Sequence, residues 1–304
     1  MAATATTTPA TTPATLPTVR PLLGLACAAL ATVVWSGSFV TARGLHDSVP
    51  PVQHAFWRWV IALLAVAPFG ARRAWRQRHL LRRHVRYVLL ASLLGVAVYN
   101  TLVNQAGLTT PATTMGLIMA ASPVLMAVFE RLGGVRLGAR RITGLLLACA
   151  GVALLVGGGA HFAPGDLWMI VAACCFAGYS ALLRRRPAEL DGTGFLFTTF
   201  AVGTVLLLPA QAASVAVQGG FTPTPATVVP LLYVGVASSA VAFFAWGKAI
   251  ALIGAVRAGV VYYLQPVCVA LLSWAVLGEP TGGAQLLSMA LILGGVVLGA
   301  GARR

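Results

Sequence analysis

Read for its hydrophobic and polar positions, the chain alternates long apolar runs with short breaks rich in Arg, Gly and Pro. Ten runs predict ten helices, over residues 22–42, 52–70, 87–105, 112–130, 142–159, 166–183, 194–212, 228–247, 257–277 and 284–301. Each approaches the ~20 apolar residues needed to cross a bilayer. Residues 1–19, almost only Ala, Thr and Pro, lack a basic n-region and large apolar side chains. A disordered tail is expected there, not a secretory signal.

Two runs carry a proline in their interior. Pro266 lies within 254–280 and Pro123 within 111–132. A proline removes an amide donor and crowds the carbonyl four residues back, so a kink is expected at each. Within a membrane such a break persists where neighbouring helices or a cavity satisfy the freed carbonyl. Either a packing kink or a broken helix lining a path gives this pattern.

The halves match. An offset of 141 maps Pro68 onto Pro209, Gly24 onto Gly165, Gly37 onto Gly178 and Trp35 onto Phe176. Pro123 maps onto Pro266 at 143, and the Gly-Val near 151 onto that near 295 at 144. The expected architecture is all-α and polytopic: ten transmembrane helices as two five-helix repeats, residues 20–160 and 161–304. Five is odd, so the repeats enter the membrane from opposite sides and are inverted, as in many secondary transporters. Gly95, Gly144, Gly151 and Gly295 fit close helix packing.

Composition supports lipid as the solvent. The 304 residues are 59% hydrophobic and 9% charged, against roughly 25% charged in soluble domains. The net charge of +15 would point to nucleic acid, but its distribution does not. With a cytoplasmic N-terminus, all of the 21 Lys and Arg except Arg43 and Arg58 fall on the inner side, most densely over Arg72–Arg86. This positive-inside pattern sets orientation, both termini cytoplasmic, in a multi-pass plasma (inner) membrane protein. Cys27, Cys149, Cys174, Cys175 and Cys268 all lie in apolar runs without metal-ligand spacing and read as small buried residues. His46, Asp47, His54, His161 and Asp166 share the outer side without matching a metal motif. No metal, cofactor or catalytic residue is expected.

Several segments together resemble the EamA-type family of the drug/metabolite transporter superfamily: ALATVVWSGSFVTARGL, with Trp35, Ser36, Gly37 and Phe39; HAFWRWVIALL, with Arg58; GDLWMIVAACCFAGYSALLRRR; and RAGVVYYLQPVCVALLSWAVLGEP followed by LILGGVVL. The resemblance runs from about residue 21 to 301. It implies export of metabolites such as amino acids, or of amphipathic toxic compounds. One departure stands out. The family commonly ends its fourth helix with Gly-Glu, as Gly278-Glu279 ends the ninth, but here that position reads Gly134-Val135 and the nearest acid is Glu130.

Polar and aromatic residues inside the runs are candidates for a substrate path. Tyr262 and Gln265 share a face with Gly259. Asn100 and Asn104 share one in the third helix beside Tyr99, and amides facing lipid are costly. Trp35, Ser38, Ser122 and Ser239 complete the substrate set, with Thr114, Ser238 and Trp246 weaker. Arg58 is the one basic residue well inside a run. It is a candidate carboxylate ligand, or a snorkelling or structural residue, and His54 precedes it by one turn. Pro123 and Pro266 are the candidate helix breaks. None of the six acids falls at mid-membrane. Glu279, at the outer end of the ninth helix, fits a helix-end contact better than a gate. The expected function is export of small metabolites by alternating access. The expected partners are a small-molecule substrate and the bilayer, not nucleic acid, with the protein a monomer or homodimer. Efflux of cationic drugs is the alternative within the same class. A non-transporting scaffold and a membrane enzyme come from other classes.

Overall fold

The computed structural model describes residues 19–120, 122, 125, 139–157 and 163–300, and every element among them is helical. In chain order these are α1 (Val19–Gly44), α2 (Pro51–Arg76), α3 (Arg78–Arg83), α4 (Val85–Ser92), a π-helical segment π1 (Leu93–Val98) and α5 (Tyr99–Ala106). Next come α6 (Ala112–Ala120), α7 (Ala139–Gly157), α8 (Pro164–Arg184), α9 (Gly192–Gln218) and α10 (Pro225–Leu232). A second π-helical segment, π2 (Tyr233–Val241), precedes α11 (Ala242–Tyr262), α12 (Gln265–Leu277) and α13 (Gly283–Ala300).

Among the described residues, 6 helices are long and apolar enough to cross a membrane: Pro21–Gly44, Pro51–Arg76, Val85–Ala106, Pro164–Leu183, Gly192–Gln218 and Pro225–Ala249. They cover the first, second, third, sixth, seventh and eighth expected runs. Ile142–Gly151, Gln265–Leu277 and Gly283–Gly295 are shorter apolar helices, on the fifth, ninth and tenth. The fourth is described mainly through α6. The expectations for residues 1–18, Pro123, Glu130, Arg131, Gly134-Val135 and His161 lie outside the described residues.

Three boundaries differ from expectation. The second helix runs past residue 70 to Arg76 and the seventh past 212 to Gln218, each with its proline, Pro68 or Pro209, in the interior. Arginine is a good helix former, so the basic stretch extends the helix beyond the apolar run. The eighth continues to Tyr262, and the ninth begins at Gln265, not 257. Pro266 therefore does not kink the middle of a helix. The break falls at Tyr263–Leu264, and Pro266 occupies the first turn of α12, where its missing N–H is not needed.

Helix starts are set by acids. Asp191 caps α9 by accepting from the Gly194 amide at 2.8 Å. Asp166, in the first turn of α8, accepts from the Ala163 amide at 3.1 Å and the Thr110 hydroxyl at 2.8 Å. Asp166 thus ties α8 to the turn after α5.

The helices pair across the two halves: α1 with π2 and α11, α2 with α9, α5 with α8, α6 with α12, and α7 with α13. Large apolar side chains such as Leu64, Phe69, Val217, Leu271 and Trp274 point outward and are exposed. In lipid such a surface carries no penalty, and the interior is where the polar residues gather. Thr32, Ser36, Gln53, His54, Arg58, Asn100, Ser238, Ser239 and Gln265 are all buried.

Candidate functional site

The two π segments organise the interior. A π turn lengthens the i→i+4 bond to i→i+5 and leaves a carbonyl without its helical donor. Here a tryptophan indole donates to a carbonyl in each segment. Trp59 Nε1 donates to the Val96 carbonyl of π1 at 3.0 Å, and Trp35 Nε1 donates to the Ser238 carbonyl of π2 at 2.9 Å. A side chain five residues on bonds back in each: Asn100 Nδ2 to the Gly95 carbonyl at 3.4 Å, and Ser239 Oγ to the Val234 carbonyl at 2.8 Å. The segments stand at matching places in the two halves, since the offset of 141 carries Leu93–Val98 onto residues 234–239. Trp59→Phe keeps the ring but removes the indole donor to a buried carbonyl. A loss of about 1–2 kcal/mol in unfolding free energy in detergent is expected. An unchanged midpoint would mean that the Val96 carbonyl needs no partner.

Around π2 the polar and aromatic candidates meet. Arg58 of α2, buried at 6% exposure, donates from Nε to Ser239 Oγ at 2.9 Å and from Nη2 to Ser238 Oγ at 3.2 Å. Ser238 Oγ also makes a short hydrogen bond to Ser38 Oγ of α1. Trp35 carries the cluster outward from Ser238. Its ring centroid lies 5.5 Å from Phe243, 5.4 Å from Trp246 and 6.0 Å from Tyr262. Trp246 and Tyr262 are 5.7 Å apart. Tyr233, at the start of π2, donates to the Val34 carbonyl at 2.6 Å. Four rings thus form a wall, with a guanidinium and three hydroxyls at one edge. The elements come from both halves of the chain.

Not every candidate joins this cluster. Tyr99 stacks on Phe176 at 5.5 Å and points its hydroxyl toward the Met119 sulfur at 4.0 Å, within electrostatic reach of Arg58. Asn100 is occupied by the Gly95 carbonyl of its own helix. Asn104 donates to the Pro51 carbonyl at the start of α2 at 3.2 Å. Gln265, at the start of α12, and Ser122 are buried, and among the described residues neither Gln265 Oε1 nor Ser122 Oγ has a hydrogen-bond partner. The Gln265 carbonyl receives the Ser36 hydroxyl at 3.4 Å. Thr114 accepts from Gln285 Nε2 at 3.1 Å.

Sequence reasoning missed Phe243, Tyr233 and both π segments, and ranked Ser238 and Trp246 low. The one available signal was a pair of mid-run glycines, Gly95 and Gly235, each packed against a bulky side chain: Tyr179 and Ile61 respectively.

A second polar knot lies at the end of the bundle that the charge pattern assigns to the outside. Gly278 ends α12 in the left-handed region at φ +67°, a conformation that glycine adopts without a Cβ penalty. The turn delivers Glu279 to Arg43, with Nε to Oε1 at 2.9 Å. Glu279 Oε2 accepts from the Ser273 hydroxyl at 2.8 Å and the Ala112 amide at 3.2 Å. Arg43 Nη1 also donates to the carbonyls of Gly107 at 3.1 Å and Leu108 at 3.3 Å. At the opposite end, His84 meets Glu189 at 2.6 Å, and Gln77 Oε1 accepts from the Asp191 amide at 2.8 Å. Among the described residues no three His, Cys, Asp or Glu gather as a metal site.

The sequence model of the EamA-like transporter family matches twice, over residues 22–157 and 163–300. A probable terminal-alkyne amino-acid exporter of Streptantibioticus cattleyicolor is 29% identical over 281 residues, covering 88% of this chain and 90% of its own. An uncharacterized transporter of Archaeoglobus fulgidus is 27% identical over 263 residues, covering 83% and 88%. A solved structure described as "Crystal structure of protein" shares the fold at a TM-score of 0.62 and 24% identity, over 92% of this chain and 95% of that one. With its family model matched across both halves and its relatives named as transporters, this multi-pass helical chain belongs to the EamA-like transporter family.

Proposed function

We propose that the protein exports small metabolites, amino acids or related amphipathic compounds, across the plasma (inner) membrane by alternating access. Residues 20–160 and 161–304 act as two inverted five-helix repeats that rock about a shared chamber at mid-membrane. The observation that carries this reading is the Trp35–Phe243–Trp246–Tyr262 wall with Arg58, Ser38, Ser238 and Ser239 at its edge. These residues come from both halves, so motion between the halves remakes the site. The reciprocal helix pairing supports the inverted arrangement. Exchanging the first repeat's helices for the second's turns the α1–α11 pair into the α8–α5 pair and returns α2–α9, α6–α12 and α7–α13 to themselves. The exporter from Streptantibioticus supports the substrate class. Cationic drugs fit less well, because the ionic side chain that the described residues place at the chamber, Arg58, is positive.

The test is flux. Purified protein in proteoliposomes loaded with a panel of labelled amino acids should show saturable efflux and counterflow for at least one. Trp35→Ala removes the ring that touches the other three, and should lower that flux about tenfold or more, as truncation of a central aromatic contact does elsewhere. The carrier reading fails if no solute moves under any gradient. Wild-type flux in Trp35→Ala would instead place the path elsewhere.

A further inference from the structure

We propose that Arg58, with the hydroxyls of Ser238 and Ser239, is a carboxylate-binding subsite, and that the cargo's carboxylate is the counter-ion that Arg58 lacks among the described residues. The inference rests on the transporter reading above and adds the chemical group that the chamber selects.

Arg58 is buried inside a membrane helix, yet its side-chain hydrogen bonds go to two neutral hydroxyls. Among the described residues no carboxylate reaches it. Glu279 is taken by Arg43, Asp191 by Arg73, Glu189 by His84 and Asp47 by His46, while Asp166 accepts from Thr110 and the Ala163 amide. A buried guanidinium without an anion is costly, and in membrane helices such groups face a partner or an aqueous path. His54, one turn earlier on α2, has its Nε2 buried and without a hydrogen-bond partner among the described residues. Among the described residues the polar capacity around Arg58 is therefore incomplete.

The geometry suits a carboxylate joined to an apolar body. A guanidinium fork takes carboxylate oxygens bidentately, and a flanking serine hydroxyl can rotate to donate to the same group. Ser238 connects the fork to the ring wall, since its hydroxyl receives Arg58 and its backbone carbonyl receives Trp35. A cargo held by its carboxylate therefore lays its body against Trp35 and the rings around it. Gln265 follows Tyr262 by three residues; its Oε1, buried without a donor among the described residues, can take an N–H from a cargo that has one.

Three small probes separate the possibilities: L-phenylalanine, 3-phenylpropionate and L-phenylalaninamide. All carry the same ring, and only the first two carry a carboxylate. Their binding to the purified full chain is read by tryptophan fluorescence and by thermal shift. Both carboxylates should bind about tenfold or more tighter than the amide, the usual worth of a charge-assisted pair. Arg58→Gln should erase that preference, Ser239→Ala should weaken it several-fold, and Arg58→Lys should retain part of it. Should Arg58→Gln fail to fold, Arg58→Lys and Ser239→Ala decide. The proposal is overturned if the amide binds as tightly as the acids, if none of the three binds, or if the preference survives undiminished in Arg58→Gln or, where that variant does not fold, in both Arg58→Lys and Ser239→Ala. Flux without carboxylate preference would sink this subsite and leave the transporter standing. Carboxylate preference without flux of any solute would do the reverse.

Discussion

Glu279→Gln is expected to lower the unfolding free energy by about 2 kcal/mol and to reduce flux about tenfold. The glutamine keeps the size of the side chain and one acceptor oxygen but discards the charge. Three donors converge on this carboxylate, from Arg43, Ser273 and the Ala112 amide. Hydrogen bonds to a charged group contribute about 1.5–3 kcal/mol where water is excluded. The Arg43 and Glu279 side chains are 24% and 22% exposed, so screening trims the figure toward its lower end. The knot joins the ends of α1 and α12, the turn after α5 and the start of α6, so the loss spreads over four segments. Arg43→Gln should cost a similar amount, and the double variant should cost clearly less than the two singles added. Unfolding midpoints in detergent with flux from the same preparations check this. Additive singles would show that Arg43 and Glu279 act independently.

Gly95→Ala is expected to destabilise the bundle by about 1–3 kcal/mol, as overpacking of a tight core does, while Gly178→Ala, at the same crossing, should be nearly neutral. A Cβ on Gly95 would stand 2.6 Å from Cδ2 and Cε2 of Tyr179 and 2.8 Å from Cγ. That ring is buried and cannot simply swing away. A Cβ on Gly178 meets its nearest neighbour, Leu94 Cδ1, at 3.5 Å, an ordinary contact. The pair is informative because both glycines lie where the third helix of the chain meets the first of its second half. Helix propensity predicts a gain for either substitution in isolation. Equal behaviour of the two variants would show that backbone propensity, not the Tyr179 contact, governs this crossing.

Much of the helical layout was readable from hydrophobic periodicity because lipid imposes simple rules. Helix length follows bilayer thickness, and Pro68 and Pro209 sit inside α2 and α9 at the spacing the sequence repeat indicates. Arg58, Trp35, Ser38, Ser239 and Tyr262 were found because polar or aromatic groups at such depth need a reason to be there. The π segments were not legible. Their sequences, LLGVAV and YVGVASSAV, carry one glycine each, a weak signal in a chain whose apolar runs hold many. The wider turn is held in place by Trp59 and Trp35, which lie far away in the chain. Asn104 shows the converse. Its depth marked it as a path residue, but a carbonyl at the start of α2 takes its amide. Pro266 was recognised as a break and placed one turn late, because the ladder fails at the residues before a proline rather than at the proline itself.

The absence of an acidic partner for Arg58 among the described residues also has an electrical meaning. A chamber that balanced its own charge would release an anion against a fixed dipole. With Arg58 holding the cargo's carboxylate as proposed, this one is positive without cargo and neutral with a monocarboxylate. For a cargo whose carboxylate is its only charge, each export event moves one negative charge outward. Across a membrane that is negative inside, this is worth about 2.3 kcal/mol per 100 mV, a concentration ratio of roughly 50. A zwitterionic amino acid gains nothing from the same voltage. Cells loaded with the two kinds of cargo would therefore differ in how steeply efflux falls when the membrane is depolarised, with no co-transported ion needed to drive the anion out.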